Sequence, residues 1–212
     1  MKKLITEQFV IDIIKSGANT IEICENCLLT PLAKDRINSA GIKIVKKKND
    51  EKENQDILPD NNKIAIGGDH TGFEVKEILK KYLKDKNFDI IDVGTNSKES
   101  CDYPDFAIAV AKKVGMKEVR FGILIDATGI PSAITANKFP GIRAATCYNE
   151  FSAKSAREHN NANIIVLGAK TLGEETIKSI LDTWFKTNFA GERHQKRLNK
   201  ITEVEKYFMK RE

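Results

Sequence analysis

The chain has 212 residues, 41% hydrophobic and 31% charged, and carries 35 Lys and Arg against 30 Asp and Glu, a net charge of +5. Lysines interleave with acids, as in EVKEILKKYLKDKNFD, which describes solvated helix faces rather than a nucleic-acid surface, and no apolar run approaches the roughly 20 residues of a membrane span. The opening MKKLITEQFVIDIIKSG is broken by Glu7 and Asp12, unlike a secretory signal, so the expectation is a cytoplasmic protein with one medium α/β domain and an appendage.

In chain order, the pattern predicts a helix over Leu4–Lys15, a strand at Thr20–Cys24, a helix from Thr30-Pro31 toward Ala40 and a strand over Ile42–Val45. Thr then Pro is a good N-cap and first helical position, and Gly41 is a good helix stop. This small α/β unit, residues 1–45, is followed by a charged, amide-rich stretch, 46–62, which reads as a linker because it has too little apolar surface to offset the entropy of ordering. From Lys63 onward strands and helices alternate: KIAIGG, a helix over Phe73–Lys86, FDIIDVG, a helix over Pro104–Val114, FGILI, a helix from Pro131, IRAATC, a helix over Ser152–Glu158, NIIVLG, a helix over Glu174–Phe185 and a terminal helix. Such alternation predicts, for residues 63–212, a doubly wound, Rossmann-like parallel sheet of five strands with helices on both faces.

Cys24 and Cys27 form a C-x-x-C, the spacing of a redox pair or of half a zinc site. The second half of a zinc site is missing and the first cysteine closes the apolar run TIEIC, so both are read as free buried thiols, with no metal site.

Ligands of a doubly wound sheet bind at the carboxyl ends of its strands. Gly67-Gly68, Cys147-Tyr148 and the turn Asp126-Ala127-Thr128-Gly129-Ile130-Pro131 all fall there. Main-chain N–H groups at a helix start can hold a phosphate or a developing oxyanion, and Pro131 has none to give. Asp126 is either an ordinary cap of that helix or a catalytic carboxylate. The three histidines, His70, His159 and His194, all stand in polar clusters at strand or helix ends. Arg193 and Arg197 are one helical turn apart, so they form either an anion clamp or a solvated basic face.

The segments IAIGGDHTGFEVKEILKKYL, IDVGT, DYPDFA, ITANKFPGIRAATC, SAKSAREHNNANIIVLGAK and GERHQKR, with the turn at 126–132 between them, resemble in order and spacing the type B ribose-5-phosphate isomerases, a family shared with the galactose-6-phosphate isomerase subunits. The likeness covers about residues 62–207. It implies aldose-ketose isomerisation of a sugar phosphate through ring opening and an enediolate, a homodimer or dimer of dimers with active sites between subunits, and no cofactor. By the same resemblance Asp69 and His159 open the ring, while His70, Arg193 and Arg197 hold the phosphate. Asn137, Asn160 and Tyr103 contact the sugar, and Thr128 and Gly129 of the turn stabilise the enediolate. Relatives carry a cysteine base in a turn like C-G-T-G-x-G. Here Asp126 stands in its place and is read as the base, with Ala127 and Pro131 replacing glycines. Ribose 5-phosphate is the expected substrate. The alternatives are another aldose phosphate, or a weakly active or non-catalytic sugar-phosphate binding protein. The segment LLTPLAKDRINSAGIKI resembles a short motif of proteins associated with bacterial microcompartments, so the N-terminal unit is read either as a recruitment module or as a passive extension.

Overall fold

The computed structural model describes residues 4–24, 27–47 and 62–209. They belong to two compact units, Met1–Ile57 and Leu58–Glu212.

The first unit runs β1 (Leu4–Ile5), α1 (Glu7–Lys15), β2 (Thr20–Cys24), β3 (Leu28–Leu29), α2 (Pro31–Ser39) and β4 (Lys43–Lys47). β1 pairs with β3 and β2 with β4, both in parallel. The helix expected from Leu4 begins at Glu7, because Thr6 is extended (φ −93°, ψ 164°) and Leu4 and Ile5 pair with Leu28 and Leu29. The unit is a duplicated β-α-β element. Leu-Ile-Thr and Leu-Leu-Thr open the two copies, Thr6 and Thr30 are the N-caps, and Gly17 and Gly41 close the helices at φ 79° and 64°. A left-handed residue after each helix is where glycine carries no Cβ penalty. Ile5, Val10, Ile21, Ile23, Ala33 and Ile37 form its core. Two corrections follow. Lys46 and Lys47, expected in the linker, complete β4, and the remaining linker residues 48–61 lie outside the described residues. Cys27 is disulfide-bonded rather than a free thiol, whereas Cys101 and Cys147 are free.

The second unit holds β5 (Lys63–Gly68), α3 (Phe73–Asp85), β6 (Asp89–Asp92), α4 (Tyr103–Gly115), β7 (Phe121–Asp126), α5 (Ile130–Ala136), β8 (Ala144–Thr146), α6 (Glu150–Asn160), β9 (Ile164–Gly168), α7 (Glu174–Lys186) and α8 (Glu192–Met209). Its five strands are all parallel, in the order β6-β5-β7-β9-β8. Successive side chains of a strand face opposite sides, and the two layers of core follow that period. Ile64, Ile66, Ile123, Ile125, Ile165 and Leu167 meet α3, α6 and α7 on one face. Ala65, Leu124, Ile164 and Val166 meet α4 and α5 on the other. Each fully buried Ile or Leu contributes about 1.5–3 kcal/mol, so the central strands β5, β7 and β9 hold the two edges of the sheet at a fixed separation. Among the described residues no helix is long and apolar enough to cross a membrane.

Candidate active site

At the carboxyl edge, β5 delivers Asp69 and β7 delivers Asp126. The two turns are pressed together: a Cβ on Gly72 would lie 2.4 Å from the Ile125 carbonyl oxygen, and one on Gly68 would lie 2.6 Å from it. Asp69 is buried, and Oδ1 accepts from Thr71 N (2.9 Å), Thr71 Oγ1 (2.6 Å) and Gly72 N (3.2 Å). Those bonds all fall on one oxygen and leave Oδ2 outside the network. His70 Nδ1 accepts from Cys101 N at 3.3 Å, with Cys101 Sγ at 3.9 Å. Cys101 stands two residues before Tyr103, the half-buried first residue of α4. Asp69, His70 and Tyr103 therefore come to one edge, together with the Cys101 thiol, which family likeness did not single out.

Asp126 is reorganised relative to expectation. Its carboxylate is 1% exposed and accepts three main-chain N–H groups: Thr128 N (2.9 Å) and Gly129 N (2.6 Å) on Oδ1, and Ser132 N (3.1 Å) on Oδ2. Ile130 N donates to Thr128 Oγ1 at 3.3 Å, and Pro131 has no N–H. A buried carboxylate that accepts from three amides has most of its lone-pair positions taken and is turned toward the start of its own helix. The geometry is that of a cap and favours that reading of Asp126 over the role of base. It also corrects the expectation of main-chain donors at Thr128 and Gly129, since those N–H groups point inward to Asp126. The donor left on this turn is the Thr128 hydroxyl, which accepts from Ile130 and keeps its own proton to give. Gly129 is left-handed (φ 82°), and Tyr148 and Thr146 fix the turn by donating to the carbonyls of Thr128 (3.0 Å) and Gly129 (2.7 Å).

The other predicted residues lie at the opposite, amino edge. α6 starts beyond the carboxyl end of β8, runs back for 11 residues, about 16 Å, and ends where β9 begins. His159 and Asn160 are its last two residues. Ala190 N donates to Glu158 O at 2.9 Å, which brings the start of α8 to the same place. His159 and His194 stack with ring centroids 4.4 Å apart and 10° between planes. Arg193 Nε donates to His194 Nε2 at 3.3 Å, and Arg193 and Arg197 are exposed one turn apart. Loss of solvent, then the neighbouring His159, Arg193 and Arg197, hold the His194 imidazolium pKa below its usual value. Asn160 Nδ2 donates to Ser155 O at 3.2 Å. Asn137 clasps the first residue of β8 in both directions, donating to Ala144 O at 2.9 Å and accepting from Ala144 N at 2.8 Å. Asn137 thus positions the edge strand.

One chain therefore assembles two half-sites, at opposite ends of strands that span about 20 Å. Asp69, His70, Tyr103, Thr128 and Gly129 form one, and His159, Asn160, Arg193 and Arg197 form the other. His194 belongs with the second. Its signal in the sequence was adjacency to Arg193, but its stacking partner stands 35 positions earlier in the chain. Among the described residues no group of three or more His, Cys, Asp or Glu is placed to hold a metal ion.

The family model described as Ribose/Galactose Isomerase matches residues 64–201. The chain is 43% identical to ribose-5-phosphate isomerase B of Escherichia coli over 143 residues, covering 68% of this chain and 96% of that one. Among solved structures, ribose-5-phosphate isomerase B of Clostridium thermocellum superposes with a TM-score of 0.68 at 46% identity, over 69% of this chain and 99% of that one. The Mycoplasma genitalium ribose-5-phosphate isomerase B, solved with ribulose 5-phosphate bound, superposes with a TM-score of 0.66 at 41% identity, over 68% and 96%.

Proposed function

Because the chain belongs to the Ribose/Galactose Isomerase family, we propose that it interconverts an aldose phosphate and its ketose, with ribose 5-phosphate and ribulose 5-phosphate as the pair. The observation that carries this reading is the complementarity of the two half-sites: one offers a carboxylate with a free oxygen and a hydroxyl donor, the other imidazoles and exposed guanidiniums. Two copies of the chain, packed with unlike edges facing, put a full set around one sugar. The exposed residues Ile201, Val204 and Phe208 of α8, beside the short edge strand β8, supply apolar surface for that packing. A homodimer, or a dimer of such dimers, is the assembly we assign.

In the composite site, the Arg193 and Arg197 guanidiniums hold the phosphate from one copy and His70 from the other, in charge-assisted bonds. His159 gives a proton to the ring oxygen while Asp69 Oδ2 accepts the anomeric hydroxyl proton, which opens the furanose. Once Asp69 has lost that proton to solvent, it takes the C2 proton, exchanges it with solvent while the enediolate stands, and delivers a proton to C1, as the O2 hydroxyl proton passes to O1 and leaves the C2 ketone. The Thr128 hydroxyl donates to the developing enediolate oxygen, and Tyr103, Asn137 and Asn160 border the sugar. A second reading, favoured by the amide-bound Asp126, is a sugar-phosphate binding protein with feeble turnover. Incubating the purified protein with ribose 5-phosphate in deuterated water separates them. Isomerisation yields ribulose 5-phosphate carrying solvent deuterium at C1, whereas saturable binding with no deuterium in either sugar assigns the binding role.

We propose a cytoplasmic location as part of this reading. We read the N-terminal unit, with its own duplicated core, as a recruitment module joined through residues 48–62 to the isomerase unit, and microcompartment delivery as its use.

A further inference from the structure

The amino edge holds a second group of cations that the isomerase site does not use. Arg157, on α6, is two residues from His159 and faces the other way, into the protein, with 3% of its surface exposed. Its Nη1 donates to Asn161 Oδ1 (3.1 Å) and Ala162 O (2.6 Å), and its guanidinium lies 4.8 Å from the Phe121 ring centre and 5.5 Å from that of Trp184. Arg120 approaches the same Phe121 ring at 5.2 Å. Arg143 joins the cluster through Asn161, to whose carbonyl its Nε donates at 3.0 Å. Neither Arg120 nor Arg157 pairs with a carboxylate among the described residues. Burial first, then the charges of Arg120 and Arg143, pull Arg157 down to about 10.

Three buried donors in this cluster have no acceptor: Arg120 Nε, Arg157 Nε and Trp184 Nε1, the last on a fully buried ring. Guanidinium and indole groups can only donate, so they cannot satisfy one another. A buried cation without a counter-charge is costly, and an orphaned buried donor adds to that cost. These three orphaned donors, with Arg120 and Arg157 meeting no carboxylate among the described residues, together describe a place for an anion. Arg143, at the flank of the cluster, also lines a cavity of about 480 Å³ between β8 and α8.

We propose that the cluster of Arg120, Arg157 and Trp184, flanked by Arg143, binds a tetrahedral oxyanion of the phosphate class, at a site separate from the Arg193–Arg197 clamp. Such an anion would tie together the starts of β7 and β8 and the ends of α6 and α7, and so brace the edge that carries His159. Its source is either free orthophosphate or the phosphate group of a sugar ester.

Trp184 is the only tryptophan in the chain, so its emission reports on this cluster directly. The experiment is a fluorescence titration of the full chain carrying Arg193→Ala and Arg197→Ala, which removes the proposed active-site clamp. Orthophosphate and ribose 5-phosphate are added in separate arms at constant ionic strength, with chloride as the background salt. The expected result is a saturable change in Trp184 emission, with half-saturation raised at least about tenfold by Arg120→Gln, the usual scale for losing one charge-assisted contact, and partly restored by Arg120→Lys. A response to orthophosphate assigns the free ion; one confined to ribose 5-phosphate assigns the ester. A flat titration in both arms overturns the site, as does a response that Arg120→Gln leaves unchanged while the thermal midpoint stays at the parent value.

Discussion

The two edges of the sheet are built on opposite plans. At the carboxyl edge two buried carboxylates stand in the facing turns, and main-chain amides hold them: Asp69 and Asp126 each gather N–H groups from the turn that follows. At the amino edge the charged groups are cations held by side chains, through the His159–His194 stack and the Arg193 bond to His194, while Arg197 stands exposed. A carboxylate fixed by backbone keeps one geometry whatever the solvent does, which suits a proton-transfer group placed to fractions of an ångström. An exposed guanidinium clamp keeps its freedom until an anion arrives, which suits capture. In the assembly we propose, the difference means that each copy of the chain would contribute the rigid half of one site and the adaptable half of another.

The strongest way to break this comparison is to disable one edge per chain. Asp69→Asn should lower kcat by at least about 100-fold, and Arg197→Ala should raise KM for ribose 5-phosphate by about tenfold or more, the scale of a lost charge-assisted contact. Refolding Asp69→Asn together with an Arg193→Ala, Arg197→Ala chain should restore about a quarter of the parent activity, because half of randomly mixed dimers hold one intact site of two. If the mixture is no more active than the average of the two variants, the sites lie within single chains. Asp126→Asn tests the backbone-held half: replacing an acceptor oxygen by a donor opposite Ser132 N, or loosening the Thr128 and Gly129 bonds, should cost about 1–3 kcal/mol of stability in a denaturant melt. We expect kcat per folded molecule to stay within about tenfold, since an interaction made equally in ground and transition states does not move the barrier. A kcat reduced by several orders of magnitude at unchanged stability would return Asp126 to the role of base.

A smaller effect belongs to the cationic edge. The folded-state pKa of His194 is depressed below the unfolded value near 6.5, so the unfolded chain binds more protons just below that pH. Stability is therefore fully present above the unfolded pKa and falls as pH drops through it toward the lower folded value. The thermal midpoint should decline between pH 7.5 and 5.5, and His194→Gln should flatten that slope; an equal slope in both proteins would reassign the titration. Smallest of all, removing residues 1–57 should leave kcat and KM unchanged, because both edges belong to the unit Leu58–Glu212.

The strands were legible because parallel, doubly covered strands read as apolar runs between turn residues: KIAIGG and TIEIC begin and end where the pattern places them. Boundaries slipped where pairing overrode helix pattern, as at Leu4-Ile5, whose partner lies beyond another helix. The duplication in the first unit stood in the letters, as LIT and LLT, each with a glycine closing its helix, yet hydrophobic periodicity alone does not reveal a repeat. The residues of the candidate site were legible as a set through family likeness, but their division between two edges was not, since it depends on the direction in which α6 returns. Asp126 shows the same limit on a smaller scale. Its position in a turn admits a cap or a base, and only the three amide bonds distinguish them.

The close approach of Gly68 and Gly72 to the Ile125 carbonyl oxygen, 2.6 and 2.4 Å from where a Cβ would stand, bears on how the protein can change over evolution. Any side chain at either position would wedge the Asp69 turn away from the Asp126 turn, so the gap between them is nearly closed to mutational drift. A descendant that shifts to a longer or bulkier sugar therefore has to make room from the histidine-arginine side, where the tolerated substitutions lie on an exposed helix surface. Substrate range and chemical step would then diversify on different clocks within one protein.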